Sequence, residues 1–403
     1  MGSVGSKVLR EIYSRSSPTN LELKWVADSK SLFKKSEGGK IGRSDLSWIL
    51  RSKEKKESEA EKKSPKGLEV TNFRGLDEEL TLLNDELGRN EENWVVINST
   101  YMKESDSFKV ASLLIEKVRA LITADKTAWA KREYCEKLFL KATERKTLLD
   151  LNCTVGVWND QMDYVPLFLS KLGKREGLIT KRDNSSLNLF FAEIDDGLSS
   201  KEALAKVTEG GFLEPGATDL RPEVRDQVIK LEILANICGA LTSFSIDTPE
   251  ERLRNLSTEL EQRADPSELA AWHLSGLKKG SYPALVSKLD VRGSIEAEIE
   301  LLELPRGDVL ARSFRGKNVV STRLAESRSE FVHAGYGGAP RTAKKLIHGA
   351  ERASKLVRKV EKIKTDDFIP IPVLAGMKVG DAEAMKKSVA IFSKVFPKAK
   401  LLQ

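Results

Sequence analysis

The sequence has few of the residues that build metal centres and disulfide frameworks. It contains three cysteines and three histidines in 403 residues. Cys135, Cys153 and Cys238 lie far apart along the chain. This spacing fits reduced, buried thiols and argues against a zinc site, which needs paired Cys and His ligands. We therefore expect no metal and no other cofactor.

Long apolar runs are also missing. No stretch reaches the roughly 18 uninterrupted apolar residues of a transmembrane helix, and the N-terminus has no apolar segment typical of a secretory signal. Charged residues make up 32% of the chain and aromatic residues 6%. This balance indicates a protein with a long, charged, helical surface.

Familiar catalytic motifs are absent. The chain contains no G-x-S-x-G and no H-E-x-x-H, and a phosphate-binding loop ending in Gly316-Lys317 would need a glycine where Ala311 stands. Cys153 and His273 are a conceivable nucleophile and base, and Asp195-Asp196 a conceivable metal ligand pair. An inert interior cysteine and solvated carboxylates are the simpler interpretations. The sequence thus predicts no catalytic residues and no enzyme.

Charge is sorted along the chain. Residues 306–364 carry 15 basic and 5 acidic side chains, a net charge of +10, while the whole chain carries +7. Residues 1–68 carry +7 and 365–403 carry +2, so 69–305 carry −12. A basic arm, an acidic body and a basic C-terminal part favour a polyanionic partner: RNA, DNA or an anionic membrane.

Helical periodicity dominates the central sequence. Apolar residues recur every three or four positions after Ser105, and Thr248-Pro249 and Asp265-Pro266 have the pattern of helix starts. Helices are predicted at 126–150, 199–209, 222–244, 249–263, 266–278, 341–363 and 380–395. Strand-like sequence is limited to 94–98, 309–314 and 318–320. The predicted fold is mainly α.

Segment 306–364, the basic strip, is the candidate binding surface. Its arginines suit phosphate oxygens, and aromatic side chains between them could stack on unpaired bases at about 1–3 kcal/mol each. Glycines at 335, 337 and 338 would let the backbone approach a phosphate, or would form a hinge. The predicted RNA-binding residues are Arg312, Arg315, Lys317, Asn318, Ser321, Arg323, Arg328, Tyr336, Arg341, Lys344, Lys345, Arg352 and Lys355.

Part of this strip resembles a viral family. Asn318-Val319-Val320-Ser321 with Ala325 is similar to the NVVSxNxA motif of emaravirus nucleocapsid proteins. Arg323-Leu324-Ala325 is similar to the RLA of their NRLA motif, and Gly335-Tyr336 to the start of GYEF. Arg323 replaces the second asparagine, the RLA overlaps the first motif, and Gly337-Gly338 replace Glu-Phe.

The resemblance implies a two-lobed helical nucleoprotein with a basic groove and extended terminal arms. Its parts would be a basic, partly disordered arm at 1–68, an N-terminal helical lobe at 69–240, a C-terminal helical lobe with the basic strip at 241–375, and a C-terminal arm at 376–403. Such a nucleocapsid protein coats single-stranded genomic RNA without sequence specificity and self-assembles through its arms. The implied partners are RNA, further copies of the chain and the viral polymerase, in the virion and the host cytoplasm.

A second hypothesis starts from the N-terminus. Residues 1–6, MGSVGS, fit the M-G-x-x-x-[ST] pattern for N-myristoylation at Gly2. One acyl chain gives marginal membrane binding, but a polybasic segment such as 53–66 could add a second signal. On this hypothesis the protein is a peripheral membrane or matrix-like scaffold.

Overall fold

The computed structural model describes residues 3–14, 22–27, 31–36, 39–54, 65–72, 74–88, 94–100, 102–155, 177–213, 218–242, 244–311, 316–324, 330–360 and 370. Helices and strands alternate through the first half of the chain, and the longest strands follow in the second half. The helices are α1 (Ser3–Ser14), α2 (Arg43–Glu54), α3 (Leu76–Gly88), α4 (Glu104–Lys117), α5 (Thr127–Ala130), α6 (Arg132–Arg145), α7 (Asn152–Val155), α8 (Ser185–Asp195), α9 (Ser200–Glu209), α10 (Arg221–Leu241), α11 (Glu250–Gln262), α12 (Pro266–Lys278) and α13 (Ala339–Val360). The strands are β1 (Trp25–Ala27), β2 (Ser31–Lys35), β3 (Leu68–Asn72), β4 (Val95–Asn98), β5 (Ala120–Thr123), β6 (Leu148–Asp150), β7 (Gly177–Arg182), β8 (Ser245–Ile246), β9 (Ser281–Val291), β10 (Ser294–Pro305), β11 (Lys317–Leu324) and β12 (Glu330–Tyr336).

Strands β4, β5 and β6 form a parallel sheet in that order. Each is a short apolar run, which is typical of a strand buried on both faces. Parallel neighbours need a crossover connection, and α4 joins β4 to β5 while α5 and α6 join β5 to β6. The chain therefore contains two successive β-α-β units.

The two faces of this sheet belong to different apolar clusters. Ile122 and Leu148 pack with Leu346, Ile347 and other residues of α13. Leu121 and Leu149 point to the opposite face, because successive residues of a strand alternate, and there they join the main core with α4, α6 and α10. Since α1 packs along α13, these two helices lie on the same side of the parallel sheet.

A second sheet has six strands in the order β12-β11-β7-β9-β10-β8. Its neighbours are antiparallel except for the pair β10 and β8. The long β9–β10 hairpin turns at Gly293, whose φ of 87° is a conformation that glycine adopts without steric cost. A third, antiparallel sheet consists of β1, β2 and β3.

The prediction of a mainly α, two-lobed helical nucleoprotein is wrong, because the fold is mixed α/β. The sequence SIEAEIELLELP forms β10, with Ile295, Ala297 and Ile299 buried and Glu296 and Glu298 exposed. Its glutamates and leucines have high helix propensity, but the alternation has a period of two, and burial of one face against the core outweighs propensity. Only β4 and part of β11 fall within the strand-like segments that the sequence indicated.

Most of the separately predicted helices are present. α9, α10, α11, α12 and α13 match the predictions at 199–209, 222–244, 249–263, 266–278 and 341–363 to within three residues. The predicted cap at Asp265 is confirmed, since its carboxylate accepts bonds from the backbone of Ser267 and Glu268. Thr248 does not cap α11; its hydroxyl instead bonds the backbone of Ala297 in β10.

Other predictions have different outcomes. The helix expected at 126–150 divides into α5, α6 and the strand β6. The helix at 380–395 and the C-terminal arm at 376–403 lie outside the described residues. Of the helices that the structure describes, none is long and apolar enough to cross a membrane.

Candidate active site

A buried polar loop follows the carboxyl end of strand β5. The carboxylate of Asp125 accepts hydrogen bonds from the backbone and hydroxyl of Thr127 and from the hydroxyl of Ser107. These bonds make a tight turn from β5 into α5. The turn fixes Lys126, whose side chain is 28% exposed, at the rim of the parallel sheet.

Helix α10 brings a second set of charged side chains to the same place. Glu223, Asp226 and Lys230 are three and four residues apart, so they share one face of the helix. Asn236, farther along α10, donates to the backbone carbonyls of Trp129 and Ala130 and so ties the helix to α5. The two elements that carry the charges are therefore fixed to each other.

Lys126, Asp226 and Lys230 form what we call the lysine–aspartate cluster. Asp226 contacts the ammonium of Lys126 through Oδ1 and that of Lys230 through Oδ2, the latter at 2.6 Å. Lys230 also donates to the backbone carbonyl of Asp183 at 2.9 Å. The side chains of Asp226 and Lys230 are 24% and 11% exposed. The cluster is thus largely desolvated but open on one side.

Burial and charge set the protonation of this cluster. Burial would raise the pKa of Asp226, but Lys126 and Lys230 outweigh it and hold that pKa well below its usual range. Burial opposes the charge of Lys230, yet Asp226 and Asp183 raise its pKa above the ordinary value. Burial, together with Asp226, raises the pKa of Glu223. Near neutral pH the cluster consists of a carboxylate and charged Lys230, with Lys126 beside them.

The N-terminus of α8 lies beside the cluster. Asn184 caps α8 and donates to the carboxylate of Glu223 at 2.8 Å. The next residue, Ser185, accepts from the backbone of Gly337 at 2.7 Å and donates to Asn318 at 2.9 Å. A side chain at Gly337 would collide with Ser185, since its Cβ would lie 2.8 Å from the hydroxyl oxygen. The glycine run before α13 therefore docks the start of that helix beside this loop.

The predicted RNA-binding residues do not form one surface. Arg323, Arg341, Lys344 and Lys355 are exposed, whereas Asn318, Ser321, Lys345 and Arg352 are buried. Lys317 is half-buried in β11, and the structure describes only the backbone of Tyr336 in β12. Arg312, Arg315, Arg328 and Gly2 lie outside the described residues. RNA binding by these residues and lipidation of Gly2 stay predictions.

Two buried members of the basic strip serve the fold. Arg352 donates to Asp150 at 2.7 Å, where β6 ends, and the two side chains are 4% and 3% exposed. Burial lowers the pKa of Lys345, whose charge also lies near Asp150. The positive charge at these positions is thus directed inward.

The other conceivable sites from the sequence are not assembled. The Cys153 thiol faces the backbone carbonyl of Thr342, and burial raises its pKa, so it is a poor nucleophile. His273 is fully buried between the carbonyl of Pro283 and Asp195, at 3.1 and 2.7 Å. Among the described residues, no group of three or more His, Cys, Asp or Glu could hold a metal ion.

The sequence contains a signal for the lysine–aspartate cluster that none of the sequence-based predictions used. The pattern Glu223-x-x-Asp226-x-x-x-Lys230 places three charges on one face of α10. The run ALITADK ends a buried strand in a polar turn. In folds with parallel strands, ligand sites form at the carboxyl ends of those strands.

No protein-family model matches the sequence, and no curated protein is similar to it. Solved structures do resemble the fold. A putative homoserine dehydrogenase from Archaeoglobus fulgidus superimposes with a TM-score of 0.58 at 17% identity, over 89% of this chain and 97% of that one. A hyperthermophilic archaeal homoserine dehydrogenase in complex with NADPH gives 0.57 at 16%, over 88% and 95%. A Candida auris protein of unknown function gives 0.58 at 17%, over 88% and 96%.

These likenesses correct the functional predictions. The chain has the fold of dehydrogenases, so the predicted viral nucleocapsid, its membrane-scaffold alternative and the expectation of no enzyme are wrong. The excess of basic residues in 306–364 suggested a nucleoprotein because a sequence does not show which charges are buried. Single-stranded RNA, self-association and a viral polymerase as partners stay predictions, as does localisation in the virion and host cytoplasm. At these identities the chain shares a dehydrogenase-like fold with its neighbours.

Proposed function

We propose that the chain is a pyridine-nucleotide-dependent oxidoreductase that interconverts an alcohol and a carbonyl group on a small polar substrate. The observation that carries the proposal is the lysine–aspartate cluster at the carboxyl end of β5. Buried, partly open groups with shifted pKa values are typical of active sites. The dehydrogenase-like fold supports the same class of reaction.

A dinucleotide cofactor would bind at the carboxyl edge of the parallel sheet. Strands β4, β5 and β6 end together at Asn98, Thr123 and Asp150, the edge where such folds bind nucleotides. A reduced nicotinamide bound at this edge would supply the hydride.

Lys126 is the residue placed to act on the substrate oxygen. Among the described residues its ammonium has one acceptor, Asp226 Oδ1, which leaves two N–H groups for a ligand. One of them can donate to a carbonyl oxygen and stabilise the negative charge that develops there. As the carbonyl carbon receives hydride, the oxygen takes a proton from this ammonium and becomes a hydroxyl.

Asp226 and Lys230 prepare Lys126 for this role. Asp226 fixes the direction of the Lys126 ammonium through one carboxylate oxygen. Lys230 forms an ion pair with the second oxygen of the same carboxylate. Lys230 directs two of its N–H groups to Asp226 and Asp183. Its main contribution is therefore a fixed positive charge that favours an oxyanion in the site.

The first test is NADPH binding by the purified chain, followed by turnover with small aldehydes and hydroxy amino acids, homoserine included. Lys126→Met should keep NADPH binding and lose at least about 100-fold in kcat/KM, the usual value of a positioned proton donor. Calorimetry measures binding, and the absorbance of the reduced nicotinamide measures turnover.

The matched control is Lys137→Met, which removes an exposed lysine of α6. It should leave both binding and turnover unchanged. The proposal would be overturned if the wild-type chain bound neither NADPH nor NADH. It would also be overturned if the Lys126→Met variant were as active as the control.

A further inference from the structure

A second ion pair lies behind the lysine–aspartate cluster. Lys181 is the next-to-last residue of β7, and Asp183 follows the strand by one residue. Both side chains project to the same side because they are two residues apart in extended chain. Lys181 Nζ lies 2.6 Å from Asp183 Oδ2, and the two side chains are 1% and 0% exposed. No substrate can touch them.

The pair is joined to the cluster through Asp183. Its backbone carbonyl accepts a hydrogen bond from Lys230, so residue 183 contacts Lys181 with its side chain and Lys230 with its main chain. The result is a row of alternating charges: Lys181, Asp183, Lys230, Asp226 and Lys126. Removing one member of such a buried row leaves the next charge unbalanced.

One atom of the pair distinguishes it from an ordinary structural ion pair. Within the part of the chain that the structure describes, Asp183 Oδ1 is buried and has no hydrogen-bond partner. A buried carboxylate that satisfies only one oxygen is costly to keep in a purely structural role. Its negative charge stabilises the positive charges around it. Lys230, which donates to the backbone carbonyl of Asp183, is the member of the cluster that it contacts.

We infer that Lys181 and Asp183 are a positioning pair, which holds the Lys230 ammonium in place and charged without contacting the substrate. The inference deepens the proposed function, since the role of Lys230 in turnover rests on it. The link from the pair to Lys230 is a geometric property of the chain and can be tested without any substrate.

The charged groups around Lys230 all contribute to its protonation. Asp226 and Glu223 face it from α10, Asp183 and Lys181 from β7 and the loop that follows, and Lys126 from the β5–α5 turn. Burial disfavours its charge, while Asp226 and then Asp183 raise its pKa. Loss of the Asp183 carboxylate should therefore lower the pKa of Lys230.

The test follows the titration of Lys230 by NMR of carbon-labelled lysine side chains, with the resonance assigned by its absence in Lys230→Met. In Asp183→Asn, Lys230 should lose its proton at a lower pH than in the wild type. The matched control is Glu300→Gln, which removes the partner of the half-exposed Lys288 in the β9–β10 hairpin. That control should leave the titration of Lys230 unchanged.

A variant that removes both charges keeps the test valid where Asp183→Asn does not fold. Lys181→Met with Asp183→Asn leaves no unpaired charge and keeps the backbone carbonyl of residue 183. The Asp183 carboxylate is among the groups that raise the pKa of Lys230, so its loss in this variant too should lower that pKa. An unshifted Lys230 in the folded variant would overturn the positioning pair.

Kinetics separate this inference from the proposed function. With NADPH-linked turnover established, the double variant should lose about 10- to 100-fold in kcat while KM changes little, as expected when a catalytic group is slightly displaced. Turnover that is unaffected, with Lys230 unshifted, would contradict the positioning pair and leave the proposed function intact. A chain without nucleotide-linked turnover but with a shifted Lys230 would contradict the proposed function alone.

Discussion

Arg352 and Lys355 are three residues apart on α13, yet their side chains face opposite environments. Arg352 is buried against Asp150, while Lys355 is exposed. Arg352→Met should therefore lower the free energy of unfolding by about 3–5 kcal/mol, because it removes the cation that bonds the buried Asp150 carboxylate. Chemical denaturation measures the change.

Lys355→Met is the matched control on the same helix. It should change stability by no more than about 0.5 kcal/mol, as usual for an exposed position. Equal effects of the two substitutions on stability would show that the ion pair between Arg352 and Asp150 does not stabilise the fold.

Helix α12 illustrates the contribution of an element's own sequence. Its N-cap, Asp265, is exposed and bonds two backbone N–H groups at 2.8 and 3.1 Å. Asp265→Ala should lower stability by about 0.5–2 kcal/mol, the usual cost of losing a cap. Thr258→Ala on α11, whose hydroxyl bonds a carbonyl within its own helix, should have little effect. A stability unchanged by Asp265→Ala would contradict this account of where α12 begins.

For the whole molecule, titration of buried carboxylates predicts how stability depends on pH. Burial raises the pKa of Glu232 from about 4.5 to about 7, so the fold loses stability as the pH rises from the unfolded to the folded value. Asp150 has a lowered pKa because Arg352 and Lys345 outweigh its burial. Its contribution is present above the unfolded value of about 4 and is lost as the pH falls through the folded value. The two contributions together are greatest at about pH 4, above the acid loss from Asp150 and below the loss that Glu232 causes from about pH 4.5 upward.

Thermal unfolding across pH checks this expectation. Glu232→Gln should raise the melting temperature at pH values above about 7 relative to the wild type, and reduce the decline between about pH 4.5 and pH 7. Asp150→Asn should weaken the acid dependence. A wild-type melting temperature that is flat from acid to alkaline pH would contradict both assignments.

The sequence by itself determined most of the helices and their starts. In a helix, apolar residues recur every three or four positions and a capping residue stands at the start. Both signals lie within a short stretch of sequence, so α9 to α13 could be recognised from consecutive residues. The strand β4 is an apolar run bounded by polar residues and was equally visible. By contrast, β10 consists largely of residues that favour helices, and only its pairing with β9 decides its conformation.

Only the tertiary structure decided which charges form a site. Lys126 and Asp226 are 100 residues apart, and the β5–α5 turn brings them together because α10 packs against α5. Packing of α13 against the parallel sheet buries Arg352 and Lys345, which as sequence looked like part of a cationic surface. Net charge is a property of composition, but the protonation and direction of each charge depend on neighbours and burial, and those are fixed only when distant elements pack.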